Sequence, residues 1–456
     1  MDYTNLSYVL ASVLFILGIK KLSHPKTARN GNLLAAIAMF IAIIATLISY
    51  DHLDYKIIFI GIGIGAIIGT LFALKVEMTQ MPQMVAIFNG FGGAASALVA
   101  AAEFLNLNQV STFTLSTIAI SIFIGTLTFT GSFIAFGKLQ GFISGQPIVF
   151  PGQQLFNGIL AIGLFYIGYL FVQNPDNLNY FYITIAISAL LGITLTIPIG
   201  GADMPVVISL LNSYSGIAAS ATGFVLMNNG LIISGALVGA SGIILTSIMC
   251  KGMNRSLANV IFGAVGLEQE TSSSGETKQI SVKSYSTEEA AMIFDAAEKV
   301  IVVPGYGLAV AQAQHAVREV AEFLEGKGKQ VLYAIHPVAG RMPGHMNVLL
   351  AEANIPYEQL KDLDEINSEF EDCDVALVLG ANDVVNPAAR HDQSSPIYGM
   401  PILDVDKSRT VIINKRTMNA GFAGIQNELF GFDNSIMVFG DAKDMLQQLL
   451  KDLKDL

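Results

Sequence analysis

The first 260 residues carry nine Lys/Arg and seven Asp/Glu, whereas residues 261–456 carry 16 and 29. So long a stretch with so few charges does not fold as a water-solvated domain, and it divides the chain into a part built for lipid and a part built for water. Nine apolar stretches fill the first part, at roughly 4–20, 31–50, 57–74, 83–102, 114–136, 155–173, 180–199, 205–226 and 229–250, each long enough to cross a bilayer as a helix. The mean hydropathy of +0.56 follows from this half. The expected organisation is a membrane domain over residues 1–260, a linker over 261–288 and a soluble domain over 289–456.

Charges between the spans predict the orientation. Lys20, Lys21, Lys26, Arg29, Lys75, Lys138, Lys251 and Arg255 fall on one side and Lys56 on the other. By the positive-inside rule the N-terminus lies outside and the C-terminal domain in the cytoplasm, and an odd number of spans agrees. Cys250 and Cys373 lie in different halves, which fits a reducing compartment without a disulfide framework. The acidic soluble part, with a net charge of −13, argues against nucleic acid as a partner. No metal-ligand cluster is expected either.

Within the spans, Gly61, Gly65 and Gly69 recur every fourth residue, and Gly90, Gly92 and Gly93 crowd the fourth stretch, a pattern that predicts close helix contacts. Polar side chains in such surroundings are costly and are functional candidates by default. Asn89 lies in the fourth span. Asn212 and Ser213 lie in the eighth, shortly after Asp203, which together with Glu77 marks a helix end. Histidine is absent from the spans, since His24 and His52 fall in loops, so the chain supplies no imidazole relay there.

From Gly266 to about Ser286 the sequence is Ser-rich and aperiodic, as in a flexible tether. Ser286-Thr-Glu-Glu then opens a helix with a cap and an acidic first turn. Next, the apolar run Lys299–Pro304 stops at Gly305-Tyr306-Gly307 and restarts as a helix through Val310 and Ala311. A strand, a glycine turn and a helix in that order suit a pyrophosphate. Further strand-like runs at 331–335, 375–379, 401–405, 410–414 and 436–439 alternate with helical segments. The predicted fold class is therefore a polytopic α-helical membrane bundle followed by a cytoplasmic α/β, doubly wound, Rossmann-like domain.

Specificity is also legible. Where an NAD site carries an acid after its second strand, this chain reads His336-Pro-Val338-Ala339-Gly340-Arg341, and a later strand runs into Lys415-Arg416-Thr417. A guanidinium and an ammonium with a hydroxyl at a strand end suit a 2′-phosphate, favouring NADP(H). Gly380-Ala381-Asn382-Asp383 sits at another strand end, where amides and a carboxylate reach a ligand, and Gly421-Phe422-Ala423-Gly424 has the composition of a glycine-hinged flap.

Four segments, Gly305–Gln314, His336–Asn347, Gly380–Pro387 and Gly200–Pro205 with Leu211–Gly216, together resemble the beta subunit of the proton-translocating NAD(P) transhydrogenase family, in order and across essentially the whole chain. The resemblance implies an NADP(H) domain on this chain and a partner alpha subunit, of one or two chains, that carries NAD(H). It also implies a dimer of the heteromeric complex in a bacterial inner (plasma) membrane, and hydride transfer from NADH to NADP⁺ driven by inward proton flow. By position, Asn89 and Asn212 would line the proton path with Asp203 at its cytoplasmic end, and Ser213 is a further candidate beside Asn212. Gly305, Gly307, Val310 and Arg341 would hold the nucleotide, Lys415 and Arg416 its 2′-phosphate, and Asp383 would couple ligand state to the membrane. Two departures stand out: many members have His at the place of Asn89 and Tyr at that of Phe422. The rival expectations are a channel or transporter gated by a nucleotide-binding domain and a redox enzyme merely anchored in the membrane.

Overall fold

The computed structural model describes residues 3–22, 25–49, 54–106, 111–254, 256–262, 281–342, 344–393, 395, 397–421 and 423–456. Phe422, His24, His52, Arg255 and most of the tether lie outside the described residues. The chain divides into two compact units, 1–247 with 257–268, and 248–256 with 269–456.

Among the described residues the helical unit holds nine helices long and apolar enough to cross a membrane. They are α1 (Tyr3–Leu22), α2 (Pro25–Ser49), α3 (Tyr55–Lys75), α4 (Met81–Asn106), α5 (Thr112–Gln140), α6 (Gln153–Gln173), α7 (Leu178–Thr196), α8 (Met204–Val225) and α9 (Asn229–Gly252), followed by a short α10 (Leu257–Phe262). The longest, α5, packs along α4, α7 and α8 and forms the axis of the unit. Ser111 starts it by accepting the Thr114 N–H, and Gly141 ends it in the left-handed conformation. Such terminal groups satisfy backbone atoms that a helix leaves open.

The span glycines behave in two ways. A Cβ on Gly93 would lie 2.7 Å from the Gly125 carbonyl oxygen, and one on Gly235 2.7 Å from that of Gly216. Backbones of α4 and α5, and of α8 and α9, therefore touch where only hydrogen fits. Within this chain α3 makes no such contact: a Cβ on Gly61, Gly65 or Gly69 would meet nothing within 4 Å, and no residue of α3 is buried. Four-residue spacing makes a smooth ridge, but only an opposing backbone turns a ridge into a contact. Gly92 is open in the same way.

The second unit is a six-stranded, wholly parallel sheet in the order β3-β2-β1-β4-β5-β6. Its elements are α11 (Thr287–Ala296), β1 (Lys299–Pro304), α12 (Tyr306–Val310), α13 (Gln314–Gly326), β2 (Gln330–Ile335), α14 (His345–Glu352), β3 (Leu360–Asp362), α15 (Leu363–Ile366), β4 (Val375–Leu379), α16 (Ala388–His391), β5 (Thr410–Lys415), β6 (Ser435–Phe439) and α17 (Ala442–Asp455). Every residue of β4 is buried, as a central strand covered on both faces requires. The predicted cap of α11 is present as a capping box between Ser286 and Glu289.

Two strand assignments differ from expectation. Residues 401–405 form no ladder, because their backbone bonds elsewhere. Asn367 donates to the Ile402 carbonyl and accepts from the Asp404 N–H, while the Leu403 N–H donates to the Val384 carbonyl. The short edge strand β3 takes the sixth place, its Leu360-Lys361-Asp362 being too polar to stand out by period. The helix after the glycine turn is also broken. Gln312 takes φ +49, and the Ala313 N–H closes back on the Leu308 carbonyl at 3.1 Å, a helix-ending motif normally given to glycine.

Candidate functional site

In a sheet of order 3-2-1-4-5-6, chain connections leave β1 and β4 in opposite directions, and the crevice between their carboxyl ends is where a ligand has room. There the Gly305 N–H donates to the Leu379 carbonyl at 2.9 Å and the Gly307 N–H to the Gly380 carbonyl at 3.0 Å. A Cβ on Gly307 would lie 2.6 Å from Gly380 Cα. One on Gly305 would lie 2.5 Å from Ala381 Cα. Gly380 itself adopts φ +66. The three glycines are thus demanded by one another: two turns cross backbone against backbone, and the cleft floor carries no side chains.

On the β2 side, His336 is buried, its Nδ1 accepts the Val338 N–H at 3.2 Å, and its Nε2–H donates to the Pro401 carbonyl at 2.7 Å. Burial pulls its pKa down to about 4, partly opposed by the Pro401 bond, so the ring is a neutral strut that ties the 336–341 turn to residue 401. Ala339 is buried beside it, and Val338 and Gly340 are half-buried. The Arg341 guanidinium lies over the Tyr306 ring, Cζ 4.3 Å from the centroid. Burial raises the Tyr306 pKa, against the pull of Arg341, and the phenol stays neutral. Val310 and Ala311 lie at the far end of α12, Val310 exposed.

On the β5 side, Asp383 Oδ2 accepts the Ala423 N–H at 2.9 Å, and a Cβ on Gly421 would lie 2.5 Å from Asp383 Oδ1. Asn427 Nδ2 donates to Asn382, to the carbonyl at 2.9 Å and to Oδ1 at 3.2 Å. The segment after β5 is thereby closed onto the end of β4. Lys415 Nζ donates to the Asn419 carbonyl at 2.7 Å and sits 4.8 Å from the Phe430 ring. Burial lowers its pKa and the Asp383 carboxylate partly restores it. Arg416 and Thr417 are exposed, so the basic pair divides into an inward and an outward member. A cavity of about 500 Å³ opens here, lined by Asn382, Asn419, Gln426, Asn427 and Phe430 among others. Asn382 Nδ2 is buried with no hydrogen-bond partner among the described residues, a donor that a phosphate or carboxamide oxygen would satisfy.

In the helical unit, Asn89 on α4 donates from Nδ2 to Ser132 Oγ of α5 at 3.0 Å, and its Oδ1 accepts from Ser215 Oγ of α8 at 2.6 Å. Asn212 lies three residues before Ser215 on the same face of α8. Ser213 points elsewhere and donates to the Gly239 carbonyl of α9 at 2.7 Å. Asp203 occupies the cap position of α8. Asn89 is therefore tied to α5 and α8 in one seam, and Ser213 faces α9 instead.

Sequence reasoning missed three members. Ser132 belongs to a file of hydroxyls and glycine, Thr117, Ser121, Gly125, Thr128 and Ser132, whose three- and four-residue spacing marks one face of α5. Ser121 on that file forms a second tie, 2.6 Å from Thr222 Oγ1 of α8. Lys138, counted above among loop cations, is buried, and its Nζ donates to the carbonyls of Gln146 at 3.0 Å and Ile199 at 2.8 Å.

A bundle of apolar helices with a polar seam, joined to a doubly wound sheet whose crevice is crossed by closely packed glycine backbone, has the make-up of a membrane protein that handles a dinucleotide. A family profile described as NAD(P) transhydrogenase beta subunit matches residues 4–452. An NAD(P) transhydrogenase subunit beta from Rhodospirillum rubrum is 53% identical over 457 aligned positions, covering 98% of either chain, and a second protein of that name from the same species matches equally. The chain belongs to the NAD(P) transhydrogenase beta-subunit family, whose activity is hydride transfer between nicotinamide nucleotides coupled to proton movement. Membership implies an alpha-subunit partner and sets aside the gated-channel and simple-anchor expectations.

Proposed function

We propose that this chain binds NADP(H) across the carboxyl ends of β1, β4 and β5, while the alpha subunit brings NAD(H) to it. The observation that carries the reading is the crossing of Gly305, Gly307 and Gly380, which leaves a floor of bare backbone, with Lys415-Arg416-Thr417 at the next strand end. The residues fit the group: the floor admits a pyrophosphate, Asn382 offers an unsatisfied donor, and Lys415 and Arg416 supply the positive charge that distinguishes a 2′-phosphate from a hydroxyl. When bound, the nicotinamide supplies the carbon that accepts or releases hydride. What the protein contributes is positioning, since hydride transfer between two rings needs no protein acid or base.

Coupling, in this reading, runs from the Asn89–Ser132–Ser215 seam to Asp383. The seam holds amide and hydroxyl groups, so a titrating group is supplied by the partner. One charge moving through about 100 mV yields about 2.3 kcal/mol, enough to bias a near-balanced exchange more than tenfold. Asp383 joins the end of β4 to Ala423, so a change in either alters the cover of the nucleotide. In this reading the membrane is the bacterial inner membrane, with the N-terminus outside and the sheet unit in the cytoplasm, an orientation that the gathering of lysines and arginines on one side supports.

The full chain, purified with and without its alpha partner and titrated with NADPH and NADH by calorimetry, tests the assignment. Tight NADPH binding with little NADH binding is expected in both preparations. Equal affinities, or NADPH binding that needs the partner, would overturn it.

A further inference from the structure

His345 is the first residue of α14 and is almost completely buried, following Gly344 at φ +67. Its Nδ1 accepts the backbone N–H of Arg341 at 3.0 Å, which places the proton of the neutral ring on Nε2. The turn is wrapped onto the imidazole. Gly340 stands at φ +105, and a Cβ there would lie 2.5 Å from His345 Nδ1 and 2.6 Å from its Cβ. The same ring lies 6.1 Å from that of Tyr306, at 49°, and Tyr306 is the platform for the Arg341 guanidinium. His345 thus holds the arginine twice, by its backbone and by the ring beneath its side chain.

This matters because arginine is rich in rotamers, and each one lost on binding costs affinity. A guanidinium held over an aromatic face has fewer positions to lose on binding, and its N–H groups can fork a phosphate. We propose that His345 is a positioning residue that pre-sets Arg341 for a phosphate of NADP(H); the proposal rests on the nucleotide reading given above. His345 need not touch the nucleotide, so its contribution belongs to affinity and not to turnover.

The test is steady-state kinetics of the intact alpha–beta complex in membrane vesicles. His345→Leu is expected to raise KM for NADP⁺ about tenfold, the scale of one buried N–H left without its acceptor, with kcat within about twofold and KM for NADH unchanged. His345→Asn is expected to restore most of the loss, because its Oδ1 takes the place of Nδ1. An unchanged KM for NADP⁺ in the leucine variant overturns the proposal, as does a parallel loss of kcat and both KM values that asparagine does not rescue. Should the leucine variant not accumulate, His345→Gln serves instead: its amide is one methylene farther out, the same rise in KM is expected, and a wild-type value overturns the idea. Arg341→Ala separates the two levels. If it raises KM for NADP⁺ while His345→Leu does not, only the positioning role fails; if it has no effect, the reading of the site fails and this inference with it.

Discussion

The two units use glycine and polar side chains to opposite ends. In the helical unit, glycines let helices touch along lines, as at Gly93 with Gly125 and Gly216 with Gly235, and the polar groups in the seam are tied to one another or to carbonyls. In the sheet unit, three glycines meet at one point, Gly305, Gly307 and Gly380, and the polar atoms around them include the unsatisfied donor of Asn382. Lipid offers no alternative partner to a buried polar group, so the Asn89–Ser132–Ser215 seam is closed within itself, although Gln83 Oε1 and Asn157 Oδ1 elsewhere in the unit are buried without a partner among the described residues. A cleft facing water can hold donors in reserve for a ligand. The lesson is that the same residue types mark packing in one unit and recognition in the other.

Gly305→Ala tests the cleft most severely. Its methyl would enter the 380–381 backbone, which has no flexible end to yield, so a loss of about 3 kcal/mol or more is expected, with NADPH binding abolished. The matched change Gly65→Ala in α3 meets nothing, and thermal unfolding within about 1 kcal/mol of wild type is expected. Equal effects at the two sites would erase the distinction between packed and open glycines.

His336 makes the next largest contrast, through pH. Its folded pKa of about 4 lies below the unfolded value near 6.5. The stability it contributes is therefore present above pH 6.5 and lost as the pH falls toward 4, up to about 3 kcal/mol. Chemical denaturation of the chain between pH 7 and 4 should show that slope, and His336→Asn should flatten it. A variant as acid-sensitive as the wild type would show that the strut to Pro401 is not the source.

The smallest expected effect lies in the seam. Asn89→Leu removes both the donor to Ser132 and the acceptor for Ser215, and proton-coupled turnover in vesicles should fall about tenfold while NADPH affinity stays within about twofold. A loss of NADPH affinity without a loss of proton movement would reverse the division of labour between the units.

Much of this was readable from the chain. Nine spans, the strand-turn-helix at Gly305 and the capping box at Ser286 follow from hydropathy, period and local chemistry, which act over a few residues. The Lys415-Arg416 pair was visible as charge, but not its division into an inward lysine and an outward arginine, since that depends on Asn419 and Phe430. Residues 401–405 have strand composition, yet Asn367 and Val384 bind their backbone, and no window of sequence contains that competition.

By itself, then, the sequence determined the partition between lipid and water, the alternation that makes a parallel sheet, and the family. Tertiary structure decided which glycines are contacts, that Lys138 is buried on two carbonyls, that Asn89 joins Ser132 and Ser215 in one seam, and that His345 braces Arg341. The physical reason is range: hydropathy and propensity are properties of neighbours in the chain, whereas a close approach or a hydrogen bond is a property of whatever backbone the fold brings opposite.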